Sequence, residues 1–174
     1  MKKINILNQK TYIAIVLVAI FFSGATLYLS QTEANSQTSS ETAQCLRREV
    51  SLLPPHEGAQ AQPVKIKTEL ALTDDQRRQG LMHRKYLAAD AGMMFFWDAP
   101  QKVFMWMKNT LIPLDMIFIK NNKIVGIVEA KKTEDTTSLT VPSLADAVLE
   151  VNYGLTKQHG ITKGWQVNVG KCLD

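Results

Sequence analysis

Thr11 to Leu29 reads TYIAIVLVAIFFSGATLYL, nineteen residues without a charge. A helix needs about 20 mainly apolar residues to cross a bilayer core, so this run is long enough to span one. It has no polar face to show water, which excludes an ordinary surface helix. Lys2, Lys3 and Lys10 precede it, and a basic flank keeps the N-terminus cytoplasmic and sends the rest across. The run is longer than the ~7–15 apolar residues of a removable signal peptide, and Thr32-Glu33-Ala34 fits a cleavage site only loosely. We read residues 1–30 as a signal-anchor, with a cleaved signal peptide as the alternative.

Gln31 to Gln44 (QTEANSQTSSETAQ) holds Ala34 and Ala43 as its only apolar residues. Such a stretch cannot bury enough surface to fold and reads as a flexible polar linker over 31–44. Residues 45–174 form the globular body. The expected partner of residues 11–29 is the membrane. The protein is then anchored in the inner membrane and faces the periplasm or extracellular side, or is secreted if the leader is cleaved.

The chain carries 20 Lys+Arg and 16 Asp+Glu; without Lys2, Lys3, Lys10 and Glu33 the chain from Asn35 onward keeps 17 and 15. That balance gives no reason to expect nucleic acid as a partner. The two cysteines, Cys45 and Cys172, stand at the two ends of the body. Outside the reducing cytosol such a pair suggests a disulfide joining the terminal segments, though spacing alone leaves two separate thiols open.

The body reads mainly as strands. Val64, Ile66, Thr68 and Leu70 alternate with Lys65, Lys67 and Glu69, as on a half-buried strand. Thr73-Asp74-Asp75-Gln76 is a capping box opening a short helix through about Gln79, closed by Gly80. Gly92 to Trp97 and Val103 to Met107 are expected strands parted by a turn at Asp98-Ala99-Pro100. Leu114 to Ile119 and Ile124 to Val128 flank Asn121-Asn122 as a hairpin. Ala147 to Val151 and Trp165 to Val169 are strands, with a short helix over 152–159 between them. The expectation is a single antiparallel β-sandwich or barrel-like domain with one or two short helices.

Gly80-Leu81-Met82-His83-Arg84, Gly92-Met93-Met94-Phe95 and the stretch from Trp106 to Ile119 (WMKNTLIPLDMIFI) resemble the DUF192 family. The likeness runs from about Pro63 to Val169. It implies a small, exported, β-rich domain, and it implies no biochemical function. The closing segment departs from the family's usual G-[IL]-x-x-G-D-x-V, because Trp165 stands where Asp is usual. No role of that Asp carries over.

Candidate ligand-binding residues follow from polar groups in apolar surroundings. Asp115 interrupts an apolar run and would be costly to bury unpaired; Lys108 is a natural partner, and Asn109 adds donor and acceptor. Asp115 could equally accept backbone N–H bonds from a turn. Trp106 lies beside them, and His83 with Arg84 could hold an anion. On the strand Val103–Met107, Phe104 and Trp106 cannot share a face with Val103, Met105 and Met107, so both faces are covered or one lines a groove.

Met82, Met93, Met94, Met105, Met107 and Met116 could suit Cu(I), but they suit an irregular core better. His56, His83 and His159 lack ligand spacing, so neither metal nor cofactor is expected. The chain has no G-x-S-x-G, P-loop, G-x-G-x-x-G or C-x-x-C. Two readings remain: a non-enzymatic binding module for a small ligand or envelope partner, and an envelope hydrolase or other enzyme using Asp115 with Glu150 or His83.

Overall fold

The computed structural model describes residues 45–55 and 61–173. The apolar run 11–29, the linker 31–44 and His56 lie outside them. No helix among the described residues is long and apolar enough to cross a membrane.

Seven strands close into one barrel: β1 (Arg47–Leu53), β2 (Val64–Ala71), β3 (Ala91–Gln101), β4 (Leu114–Lys120), β5 (Lys123–Ala130), β6 (Ala145–Asn152) and β7 (Gln166–Cys172). Around the ring the order is β1-β2-β3-β6-β4-β5-β7. Strands that alternate in direction around a closed ring must be even in number. Seven therefore require a parallel pair, and here it is β2 with β3, where Leu70 faces Met94. The all-antiparallel expectation is corrected at this one seam. A parallel pair needs a crossover rather than a hairpin. That crossover carries α1 (Asp74–Gln79) and the chain to Asp90.

Helix α1 forms where the capping box places it. The Thr73 hydroxyl accepts from the Gln76 N–H, the Gln76 side chain accepts from the Thr73 N–H, and Gly80 closes the helix at φ 48°. The β4–β5 hairpin turns on Asn121 and Asn122 at φ 49° and 59°, conformations Asn tolerates. The second helix is shorter than expected. Strand β6 runs on to Asn152, Gly154 turns the chain at φ 85°, and α2 spans only Leu155–Gln158.

Three further differences stand out. Strand β1 is a full member of the barrel, although its opening Arg47-Arg48-Glu49 hides the alternation of Val50 and Leu52. Strand β3 continues through Asp98-Ala99-Pro100, with its register shifting between Phe96 and Gln101. A bulge is where a strand tolerates proline, which has no N–H to give the ladder. Val103 to Met107 is not a barrel strand. It belongs to a strap over 102–113 whose ladder is one bridge, Met105 with Leu139, bonded both ways at 2.8 Å.

Two apolar clusters organise the interior. The first draws side chains from all seven strands, among them Val50, Ile66, Met94, Ile117, Ile124, Leu149 and Val167, so it fills the barrel. Leu155, Ile161 and Trp165 join it from α2 and the segment after it. Trp165, at the departure from the family pattern, is therefore a core side chain. The second cluster has the opposite strand parity: Met93, Phe95, Met116, Phe118 and Val148 pack under Val103, Met105, Met107 and Val141. It lies between the outer face of β3, β6 and β4 and the strap. Five of the six methionines from Met82 to Met116 are thus buried packing residues.

Cys45 and Cys172 form a disulfide with their Cα atoms 5.6 Å apart, bonding the entry of β1 to the end of β7. A structural disulfide marks an oxidising, extracytoplasmic setting.

Candidate functional site

The strap and the crossover do not cover the outer face completely. Between them opens a cleft of about 250 Å³. The crossover gives it Asp74, Arg77, Arg78 and Met82, the strap gives Phe104, Trp106 and Thr110, and the sheet gives Phe95, Trp97 and Glu150. Its aromatic walls follow from the alternation in the strap. Val103, Met105 and Met107 are buried, while Phe104 is 61% and Trp106 43% exposed. One face of the strap packs on the sheet and the other supplies rings to the cleft, as its alternation suggests. Gly80 keeps the opposite side open, since a Cβ there would stand 3.2 Å from the Phe95 ring.

Glu150 is the chemically distinctive group. It pairs in the sheet with Met93 and Met116 and is 4% exposed. Burial is the only influence acting on its carboxyl, and it pushes the pKa up to about 8. The group is therefore mostly protonated at neutral pH. No hydrogen bond from the described residues offsets its desolvation.

The other charges around the cleft are already engaged. The Arg77 guanidinium donates to the carbonyls of Leu72 and Phe96 at 2.7 and 2.6 Å and to the Asp74 carboxylate, and it lies 5.7 Å from the Trp97 ring centre. Arg77 holds the Asp74 carboxyl below its ordinary range. Arg78 pairs with Asp75.

The residues singled out in the sequence fall in different places. Trp106 lines the cleft, and Lys108 sits over its ring with Nζ 5.5 Å from the centre. His83 and Asn109 are brought together, as the His83 N–H donates to the Asn109 carbonyl at 2.8 Å, both at positive φ. The Asn109 amide reaches Met82 at the cleft. Arg84 is turned away and clamps Glu69 through two bonds of 2.6 Å. That pairing leaves it poorly placed as an anion site.

Asp115 is fully buried and forms no pair with the exposed Lys108. Its Oδ2 accepts the Thr156 N–H at 2.9 Å and the Thr156 hydroxyl at 2.6 Å, while Oδ1 has no partner among the described residues. It accepts a backbone N–H, but from α2 rather than from its own turn.

The expected acid–base pair is also corrected. Asp115 faces Val151 and Met116 faces Glu150 across β4 and β6. Side chains alternate along a strand, so Asp115 points into the barrel and Glu150 out of it. No substrate could touch both carboxyls. His83 is exposed and cannot meet the buried Asp115.

Sequence reasoning missed Arg77, Trp97 and Thr110, met Phe104 only through the alternation along its strand, and met Glu150 only as a partner for Asp115. Glu150 carried the same signal as Asp115, an acid inside an apolar run. Nothing local distinguished the acid that faces the barrel from the one that faces the cleft.

The DUF192 family model, described as an uncharacterized ACR, matches residues 56–169. That range includes every residue of the cleft and leaves out β1 and both cysteines. Solved structures similar to the chain include the following two. One, from Sinorhizobium meliloti 1021, is provisionally described as a transcription regulator; it is 34% identical with a TM-score of 0.66, covering 71% of this chain and 93% of its own. The other is a protein of unknown function from Novosphingobium aromaticivorans DSM 12444, 32% identical with a TM-score of 0.65, covering 70% and 84%. No curated protein matches the chain.

Proposed function

The chain belongs to the DUF192 family, and we propose that its barrel is a non-enzymatic binding module holding a small ligand in the Glu150 cleft. One observation carries this reading: a largely buried carboxyl with no hydrogen bond among the described residues lines an open cleft with aromatic walls. Burying such a group without a hydrogen bond costs about 1–3 kcal/mol on protein scales. A ligand that bonds to it would offset that cost. The setting matches the general form of small-molecule sites, apolar walls with a few convergent polar groups.

The hydrolase reading has lost its pair, since Asp115 and Glu150 lie on opposite faces of the sheet. The transcription-regulator description stays with the Sinorhizobium protein, because the near-balanced charge of the body gives a nucleic acid little to hold. The module works outside the cytoplasm, anchored by residues 11–29 or secreted once the leader is cleaved; the disulfide supports this location.

The test is native mass spectrometry of the full chain isolated gently from its host. A ligand mass should leave on denaturation and be lost from Trp106→Ala and Glu150→Met, the latter removing both donor and acceptor. A ligand mass retained undiminished by both variants would place the ligand elsewhere and refute the cleft.

A further inference from the structure

The chemistry of the cleft narrows what it can hold. Its charges are neutralised within the protein: Arg77 by Asp74 and Arg78 by Asp75. An organic cation would be repelled by Arg77 and Arg78 in the lining and by Lys108 beside Trp106. An anion would find both guanidiniums engaged by carboxylates. A carboxyl buried without a cation or donor is cheapest in its neutral form. In that form it is one O–H donor plus acceptor capacity, which matches a hydroxyl group. The Thr110 hydroxyl donates to the Lys108 carbonyl and keeps its own lone pairs for a donor.

The walls ask for something different. Trp97, Phe104 and Trp106 offer ring surface, and the last two are substantially exposed. The ligand must then combine a flat apolar face with a hydroxylated edge, and it must carry no formal charge. Sugar rings have that combination, with C–H bonds on one face and hydroxyls around the rim. The size agrees, since about 250 Å³ is below the ~300–1,000 Å³ of sites for drug-sized ligands.

Resting on the cleft reading above, we propose that the ligand is an uncharged sugar unit whose ring stacks on Trp106 and Phe104 and whose hydroxyl bonds to Glu150. The sugar is either free or part of an envelope polysaccharide.

The test uses the full chain, ¹⁵N-labelled, with the indole N–H signals of Trp97, Trp106 and buried Trp165 as reporters. The probes are glucose, N-acetylglucosamine, maltose and cellobiose, with choline and putrescine as cations and citrate and phosphate as anions, each to tens of millimolar. A sugar should move the Trp97 and Trp106 signals saturably and leave Trp165 in place. Its affinity should fall tenfold or more in Trp106→Ala and in Glu150→Met, which keeps the length of the side chain without its donor and acceptor, with the Trp165 signal reporting an intact fold.

Shifts caused by choline, putrescine, citrate or phosphate alone would overturn the sugar and leave the cleft standing. If no probe moves either cleft indole, both readings fall. Co-sedimentation with insoluble peptidoglycan or cellulose, competed by the active disaccharide, would identify a polymer as the source. A shift without co-sedimentation would identify free sugar.

Discussion

Replacing Glu150 by glutamine keeps the shape of the side chain and removes its ability to ionise. In the folded protein the carboxyl titrates near 8 against an ordinary 4.5, because burial disfavours the charged form. Between those two values the folded state holds a proton that the unfolded state has released, so stability falls as pH rises. Its contribution is present in full below the unfolded value and is lost as pH rises through the folded one. The gap is about 3.5 pH units, worth about 5 kcal/mol as a ceiling at ~1.4 kcal/mol each.

The charged groups lining the same cleft are Asp74, Arg77 and Arg78. Arg77 holds the Asp74 carboxyl low, away from this window. The assay is urea unfolding of both proteins, disulfide intact, from about pH 5 to about pH 8, where the difference between the two curves should change by roughly 3–4 kcal/mol. The wild type should lose stability that Glu150→Gln does not. Parallel curves would refute the reasoning, since they would mean that Glu150 ionises in the folded state as readily as in water.

Four further outcomes can be checked. Reducing the Cys45–Cys172 bond, which closes a separation of 127 residues, should cost up to about 5 kcal/mol on the chain-entropy account, read as a large fall in Tm under reductant. Asp115→Asn should cost about 1–3 kcal/mol in denaturant titration by disturbing the Thr156 bonds, and should leave binding in the cleft unchanged. Gly92→Ala should destabilise by about 1–3 kcal/mol and disturb the cleft, because its Cβ would stand 2.6 Å from the Glu150 carbonyl oxygen. Arg84→Ala should cost at most about 1 kcal/mol at neutral pH, the pair with Glu69 being partly exposed. Since Arg84 holds the Glu69 carboxyl low, that difference should vanish as acid protonates Glu69, which unfolding curves taken at falling pH would show.

Local signals in the sequence were reliable where the physics is local. The Thr73–Gln76 box, the Asn121-Asn122 turn and the period-two pattern of β2 each act over a few residues, and each appears in the structure. What the sequence hid depends on distant neighbours. Strand β4 is buried at six successive positions because the barrel covers one face and the strap the other, so its pattern names neither. The strap itself reads like a strand until the ring closes without it. The parallel seam follows from the number of strands, which no window of residues carries. The cleft was half visible: the exposed parity of Phe104 and Trp106 was legible, but the face of Glu150 was not.

The disulfide makes the barrel a covalent macrocycle, a loop of backbone from Cys45 to Cys172 shut by sulfur. A protease that nicks the strap or the crossover once therefore releases no fragment, because the two pieces stay joined through the bridge. The nicked protein keeps its mass on a non-reducing gel and splits only when thiol is added. A cut ahead of Cys45 acts differently: it frees the whole ring, cleft included, from whatever the preceding chain is attached to.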